Sequence, residues 1–143
     1  MAAGTAAPVA KPDVRGGTET VLVVEDEPAL RQLAAHLLTR LGYTVVCADD
    51  GSSAVDLVRA TPERFDLVIL DLIMPHCGGR EALAQMRRLR PDLAAIFVTG
   101  YDNHVEHQPH GSVETQPPVL HKPYHLDALG LLVRRVLDAR TTS

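Results

Sequence analysis

Glu25, Asp26, Asp71, Thr99 and Lys122 are the residues of this 143-residue chain whose types and placement suit chemistry on a phosphoryl group. Asp71 closes the apolar run Leu67 to Leu70, and Pro75, Gly78 and Gly79 follow at once. A charge at such a place is costly unless it is paired, bound to a metal or used. Glu25 and Asp26 follow a second apolar run, Val21 to Val24. Three carboxylates brought into one cleft repel unless a cation sits among them. Hard oxygen ligands with open positions suit Mg²⁺, which keeps waters and accepts phosphate oxygens. Lys122 adds a positive charge and Thr99 a small hydroxyl donor. In that setting Asp71 is a nucleophile able to form an aspartyl phosphate. The metal and Lys122 would neutralise charge on the transferring oxygens. Taken singly, each residue has a plainer reading: Asp71 a turn residue or cap, Glu25-Asp26 a helix cap, Thr99 a strand residue, Lys122 a solvated charge.

These residues share an edge only if the elements before them are strands of one sheet. TVLVV (20–24), YTVVCA (43–48), DLVIL (66–70) and AAIFVT (94–99) are β-branched or apolar runs of strand length, and PVLHK (118–122) is a weaker fifth. Between them lie helical patterns. Pro28 opens one carrying Leu30, Leu33, Leu37, Leu38 and Leu41, stopped by Gly42. DDGS (49–52) turns into a second with Ala54, Val55 and Val58, ending near Thr61-Pro62. A third runs from about Gly79 to Arg90, with Leu83, Met86 and Leu89, and Pro91 closes it. The last carries Leu126, Leu129, Val133, Val136 and Leu137. Apolar strands alternating with crossover helices predict an α/β fold: a five-stranded parallel sheet covered on both faces. Sites in such sheets form beyond the carboxyl ends of the strands, where all five candidate residues fall.

Length and composition narrow the function classes. The chain is about one domain long, with 45% hydrophobic residues. We expect a tail or interdomain linker over 1–17, where Ala, Pro and Gly dominate, a domain over 18–140, and a short tail at 141–143. A net charge of −4 argues against non-specific nucleic-acid binding. No apolar stretch approaches membrane-spanning length, and the first residues lack the pattern of a secretion signal. Cys47 and Cys77 form no CxxC, so the reducing cytoplasm is the expected compartment.

VLVVEDEP, DLVILDLIMPHCGG, IFVTG and HKPY, in this order, resemble the signatures of the response-regulator receiver domain of two-component signalling, over about residues 19–139. The resemblance implies the flavodoxin-like (CheY-like) strand order 2-1-3-4-5. It implies Asp71 as phosphoacceptor, and Mg²⁺ held by Glu25, Asp26, Asp71 and the backbone carbonyl of Ile73. Thr99 is then the switch hydroxyl, Lys122 the phosphate-sensing lysine, and the Lys122-Pro123 bond cis. The implied partner is a histidine kinase or a histidine phosphotransfer domain. The implied chemistry is self-phosphotransfer and autodephosphorylation, with no external substrate turned over. GGTETVLVVEDEPALR resembles the junction before the C-terminal receiver of hybrid sensor histidine kinases, which leaves open a kinase fragment or a stand-alone relative.

Departures from that pattern are specific. Glu25 stands where Asp is usual, and Val119 where a Tyr or Phe rotamer switch is usual. Ile73 is apolar where many relatives are polar, and residues 101–118, with Pro109, Pro117, Pro118 and Gly111, suit a fourth helix poorly. His104, His107 and His110 have the spacing of a zinc or nickel site on a helix, but Pro109 and Gly111 favour a solvated loop. Two other function classes stay open: a phosphorylation-independent adaptor with the same fold, and an enzyme on it. Against a flavin protein, EDEP stands where a Ser/Thr/Gly-rich phosphate loop would; against a haloacid-type phosphatase, Ile73 stands where a second Asp would.

Overall fold

The computed structural model describes residues 14–74, 77–100 and 117–142. The five strands are β1 (Thr20–Val24), β2 (Thr44–Ala48), β3 (Leu67–Asp71), β4 (Ala94–Thr99) and β5 (Val119–His121). Four helices accompany them among the described residues: α1 (Pro28–Arg40), α2 (Gly51–Ala60), α3 (Gly79–Leu89) and α4 (Leu126–Thr142). A short 3₁₀ turn spans Pro62–Arg64. The sheet is wholly parallel, in the order β2-β1-β3-β4-β5, so the expected topology holds. The stretch 101–116, with its three histidines and the expected irregular fourth helix of the family pattern, lies outside the described residues.

The central strands β1, β3 and β4 are apolar along most of their length because the sheet has helices on both sides. Leu22, Val68, Leu70, Ala95 and Phe97 face one core, which α2 and α3 complete with Ala54, Val58, Leu83 and Met86. Alternate residues Val21, Val23, Ile69, Ile96 and Val98 face the other, completed by Ala34 and Leu38 of α1 and Leu129, Val133 and Leu137 of α4. At about 1.5–3 kcal/mol for each large side chain withdrawn from water, these two layers dominate the favourable side of folding. The register, fixed by pairs such as Val24 with Leu70 and Asp71 with Val98, brings the strand ends level. That alignment sets the candidate residues side by side.

Local signals set the helix ends. Asp50 accepts a hydrogen bond from the Ser53 N–H at 2.7 Å, so Asp49-Asp50-Gly51 is a turn and cap as expected. Glu27 occupies the cap position of α1 without a side-chain cap bond. After Leu41 the chain turns through Gly42 at φ 102°, a left-handed conformation that glycine tolerates. The leucine stripe expected on α1 is only partly inward: Leu38 is fully buried, whereas Leu33 is 47% exposed. The small Ala34 takes the inward place instead, letting the helix lie close against β1. Among the described residues no helix is long and apolar enough to cross a membrane.

Candidate functional site

The backbone ladder carries on past the ends of β1 and β3. The Glu25 N–H bonds the Ala48 carbonyl at 3.1 Å, and the Leu72 N–H bonds that of Val98 at 2.8 Å. The polar side chains Glu25, Asp71 and Thr99 are therefore buried at the margin of an apolar sheet. β5 is too short to set Lys122 by itself. Its N–H is fixed to the Thr99 carbonyl at 2.8 Å, and the Lys122-Pro123 bond is cis.

Lys122 Nζ lies 2.8 Å from Glu25 Oε1 and 2.9 Å from Asp71 Oδ2. The remaining oxygens are also held. Glu25 Oε2 accepts from the Glu27 N–H at 3.2 Å, and Asp71 Oδ1 from the Ile73 N–H at 3.0 Å. Asp26 is exposed, yet one oxygen from each of Glu25, Asp26 and Asp71 lies within 4.8 Å of the others. Burial pushes the Glu25 carboxyl up, against the hydrogen bonds from Lys122 and the Glu27 N–H, and the nearby Asp71 charge adds to the rise. For Lys122, burial pulls downward, but the bonds to Glu25 and Asp71 outweigh it and hold the ammonium above its usual range. The site is thus a net anionic cleft crossed by one fixed cation.

The structure brings together the five candidate residues and Ile73. Glu25, Asp26, Asp71, Ile73 and Lys122 line one open cleft, with Thr99 fully buried at the end of the neighbouring strand. Ile73 sits at the rim with its side chain 46% exposed. Val119 is half-buried against the same core as its register partner Phe97, whose ring lies 5.1 Å from the Arg80 guanidinium. The sequence reading missed Arg31, which donates from Nη1 to the Glu25 carbonyl at 2.8 Å and so fixes the backbone under the acidic pair. A cation one turn into the helix after that pair was the available signal. Cys77 is buried beside α2 and takes no part in the cleft.

The sequence model of the response regulator receiver domain matches residues 21–134. The chain belongs to that family. Among curated receiver-containing proteins, the sensor kinase CckA of Brucella abortus is 34% identical over 124 residues, covering 85% of this chain and 13% of that protein. The response regulator receiver protein CpdR of the same organism is 31% identical over 119 residues, covering 83% of this chain and 97% of that protein. The probable transcriptional regulatory protein TcrX of Mycobacterium tuberculosis is 33% identical, and the match spans 51% of its length. This receiver chain thus corresponds to a small part of one relative, half of another and nearly all of a third. Of solved structures, the receiver domain of the hybrid histidine kinase CckA superposes with a TM-score of 0.71 at 32% identity, covering 82% of this chain and 98% of that one. The Vibrio cholerae chemotaxis protein CheY4 gives 0.73 at 28% identity, covering 84% and 99%.

Proposed function

We propose that this receiver accepts a phosphoryl group on Asp71 from a phosphohistidine, carried by a histidine kinase or a histidine phosphotransfer domain. The observation that carries the reading is the Asp71 carboxylate itself. It is buried at a strand end, held at one oxygen by Lys122 and at the other by a backbone N–H, and set against two further carboxylates. A carboxylate oxygen of Asp71 would attack phosphorus, a P–O bond forming as the P–N bond to the imidazole breaks. Lys122 would then turn its ammonium toward the phosphoryl oxygens. The Thr99 hydroxyl would close on the same group from the adjoining strand.

The donor set suits the Mg²⁺ that the family implies: all-oxygen, carboxylate-rich and open on one side. Glu25, Asp26, Asp71 and the Ile73 carbonyl would hold it. When bound, the ion supplies charge neutralisation to the transferring oxygens. Glu25 reaches one methylene further than the usual Asp, and its pairing with Lys122 supports that longer reach.

The test is incubation with Mg²⁺ and acetyl phosphate, followed by intact mass. One phosphoryl group should be added per chain and none to Asp71→Asn. A wild-type protein that stays unlabelled, while binding its partners unchanged, would establish the adaptor reading instead.

A further inference from the structure

The Gly16-Gly17 pair has the composition of a flexible joint, but its surroundings are tight. The Gly17 N–H bonds the Leu41 carbonyl at 3.1 Å, and the Gly16 carbonyl accepts from Arg134 Nη1 at 3.0 Å. A Cβ at Gly16 would run into the Leu41 carbonyl. One at Gly17 would strike Arg134 and the Glu19 carboxylate. On the facing helix, Gly130 is buried, and a Cβ there would stand 2.6 Å from Val14 Cγ1. The segment therefore runs through a slot between the end of α1 and the middle of α4 that is tightest at Gly16, where the obstacle is the Leu41 backbone. Val14 seats in a notch that only glycine leaves open.

The polar contacts around the slot are unequal. The Arg15–Asp138 pair, at 2.8 Å, is exposed at 70% and 43%, and such pairs add little. Arg134 is nearly buried. Besides Gly16, its guanidinium serves both oxygens of Glu19 at 3.2 and 2.8 Å and Asp138 at 3.0 Å. Specificity at this slot comes from shape and from backbone hydrogen bonds.

We infer that the α1–α4 slot is an intramolecular docking site whose occupant is the chain's own Val14–Gly17 segment, a strap that closes this face of α4 to any partner helix. A helix packing closely on α4 at Gly130 would have to take the place that Val14 holds, since Val14 Cγ1 stands 2.6 Å from the position of a Gly130 Cβ. The strap must leave before that notch can be used.

Trypsin reads the strap directly, because Arg15-Gly16 is a cleavable bond inside it, whereas Lys11 precedes a proline. In the full chain, cleavage at Arg15 should be slower than in a free peptide of residues 8–22 by about tenfold or more, as expected of a segment that opens only locally. The Gly17 amide should show matching protection from hydrogen exchange. Gly130→Leu fills the notch, so cleavage at Arg15 should rise toward the peptide rate while the far-UV circular dichroism and the phosphoryl labelling stay those of the wild type. Cleavage of the wild type at the peptide rate, or an unprotected Gly17 amide, overturns the inference. A folded Gly130→Leu protein cut no faster than wild type also overturns it. If that variant fails to fold, the wild-type Gly17 exchange decides alone.

Discussion

Lys122 Nζ lies 2.9 Å from Asp71 Oδ2, and the same ammonium lies 2.8 Å from Glu25 Oε1. Removing it would leave two buried carboxylates facing each other without their cation. Lys122→Ala should lose about 1–3 kcal/mol of stability, the ordinary cost of stranding a buried polar partner. It should still take up some phosphoryl label, because a bound divalent ion would carry much of the charge. It should not show the change in amide exchange that beryllofluoride with Mg²⁺ produces in the wild type. A variant whose exchange response is unchanged would remove Lys122 from the switching role.

Asp26 is the exposed member of the acidic cluster and makes little contribution to the core. Asp26→Ala should therefore melt within about 0.5 kcal/mol of wild type, as surface substitutions do. Its Mg²⁺ affinity, followed by titration calorimetry, should drop at least tenfold, and labelling by acetyl phosphate should drop with it. Labelling of the wild type at an undiminished rate in EDTA would contradict the assignment of the cluster to a metal.

Gly79 opens α3 hard against the end of β3. A Cβ there would stand 2.5 Å from the Asp71 carbonyl and 3.0 Å from Leu72 Cα, both backbone atoms with no room to yield. Gly79→Ala should push the helix away from the strand end, at about 1–3 kcal/mol, the usual range for overpacking. The denaturation midpoint should fall. The labelling rate should fall further than stability alone explains, since the displaced atoms belong to Asp71. Equal labelling rates at matched folded fraction would show that the backbone there adjusts freely.

The Arg134 hydrogen bonds hold the Glu19 carboxyl below its usual range, against the opposing effect of burial. A depressed folded-state value gives stability that is full above the unfolded value of about 4.5 and is lost as pH falls through the folded one. Glu19→Gln removes that titration. Wild type should exceed the variant by about 1 kcal/mol at neutral pH. The gap should close as denaturant melts are taken from pH 5 down to about pH 3. A gap independent of pH would mean that Glu19 contributes by packing alone.

The sheet and its edge were legible because their signals are local. A buried parallel strand is a short apolar run, and Glu25, Asp71, Thr99 and Lys122 each stand at or just beyond the end of one. Even the weak β5 was readable, as the short apolar pair Val119-Leu120 shortly before Lys122. What stayed hidden depends on contacts distant in sequence. Nothing local says that Ala34 rather than Leu33 faces the sheet, because both lie within the apolar arc of α1 and only the fit against β1 decides. Gly16-Gly17 reads as a loose joint until Arg134, more than a hundred residues away, is seen to bond the Gly16 carbonyl. Arg31 was overlooked for a similar reason: its partner is a carbonyl, and carbonyls leave no mark in a sequence.

Because all the strands point one way, the sheet has a chemical edge and an opposite edge, and both described ends of the chain lie toward the latter. Gly17 reaches it just before β1 begins, and at the far end of α4 Arg140 pairs with Asp66, the residue before β3, at 3.3 Å. Any polypeptide joined before Val14 or after Thr142 is therefore tethered behind the sheet. Such tethers leave from the edge opposite Asp26 and Ile73, which line the cleft at the chemical edge. The domain is joined at its back and addressed from its front: a linker at either described end starts on the side of the sheet away from Asp71.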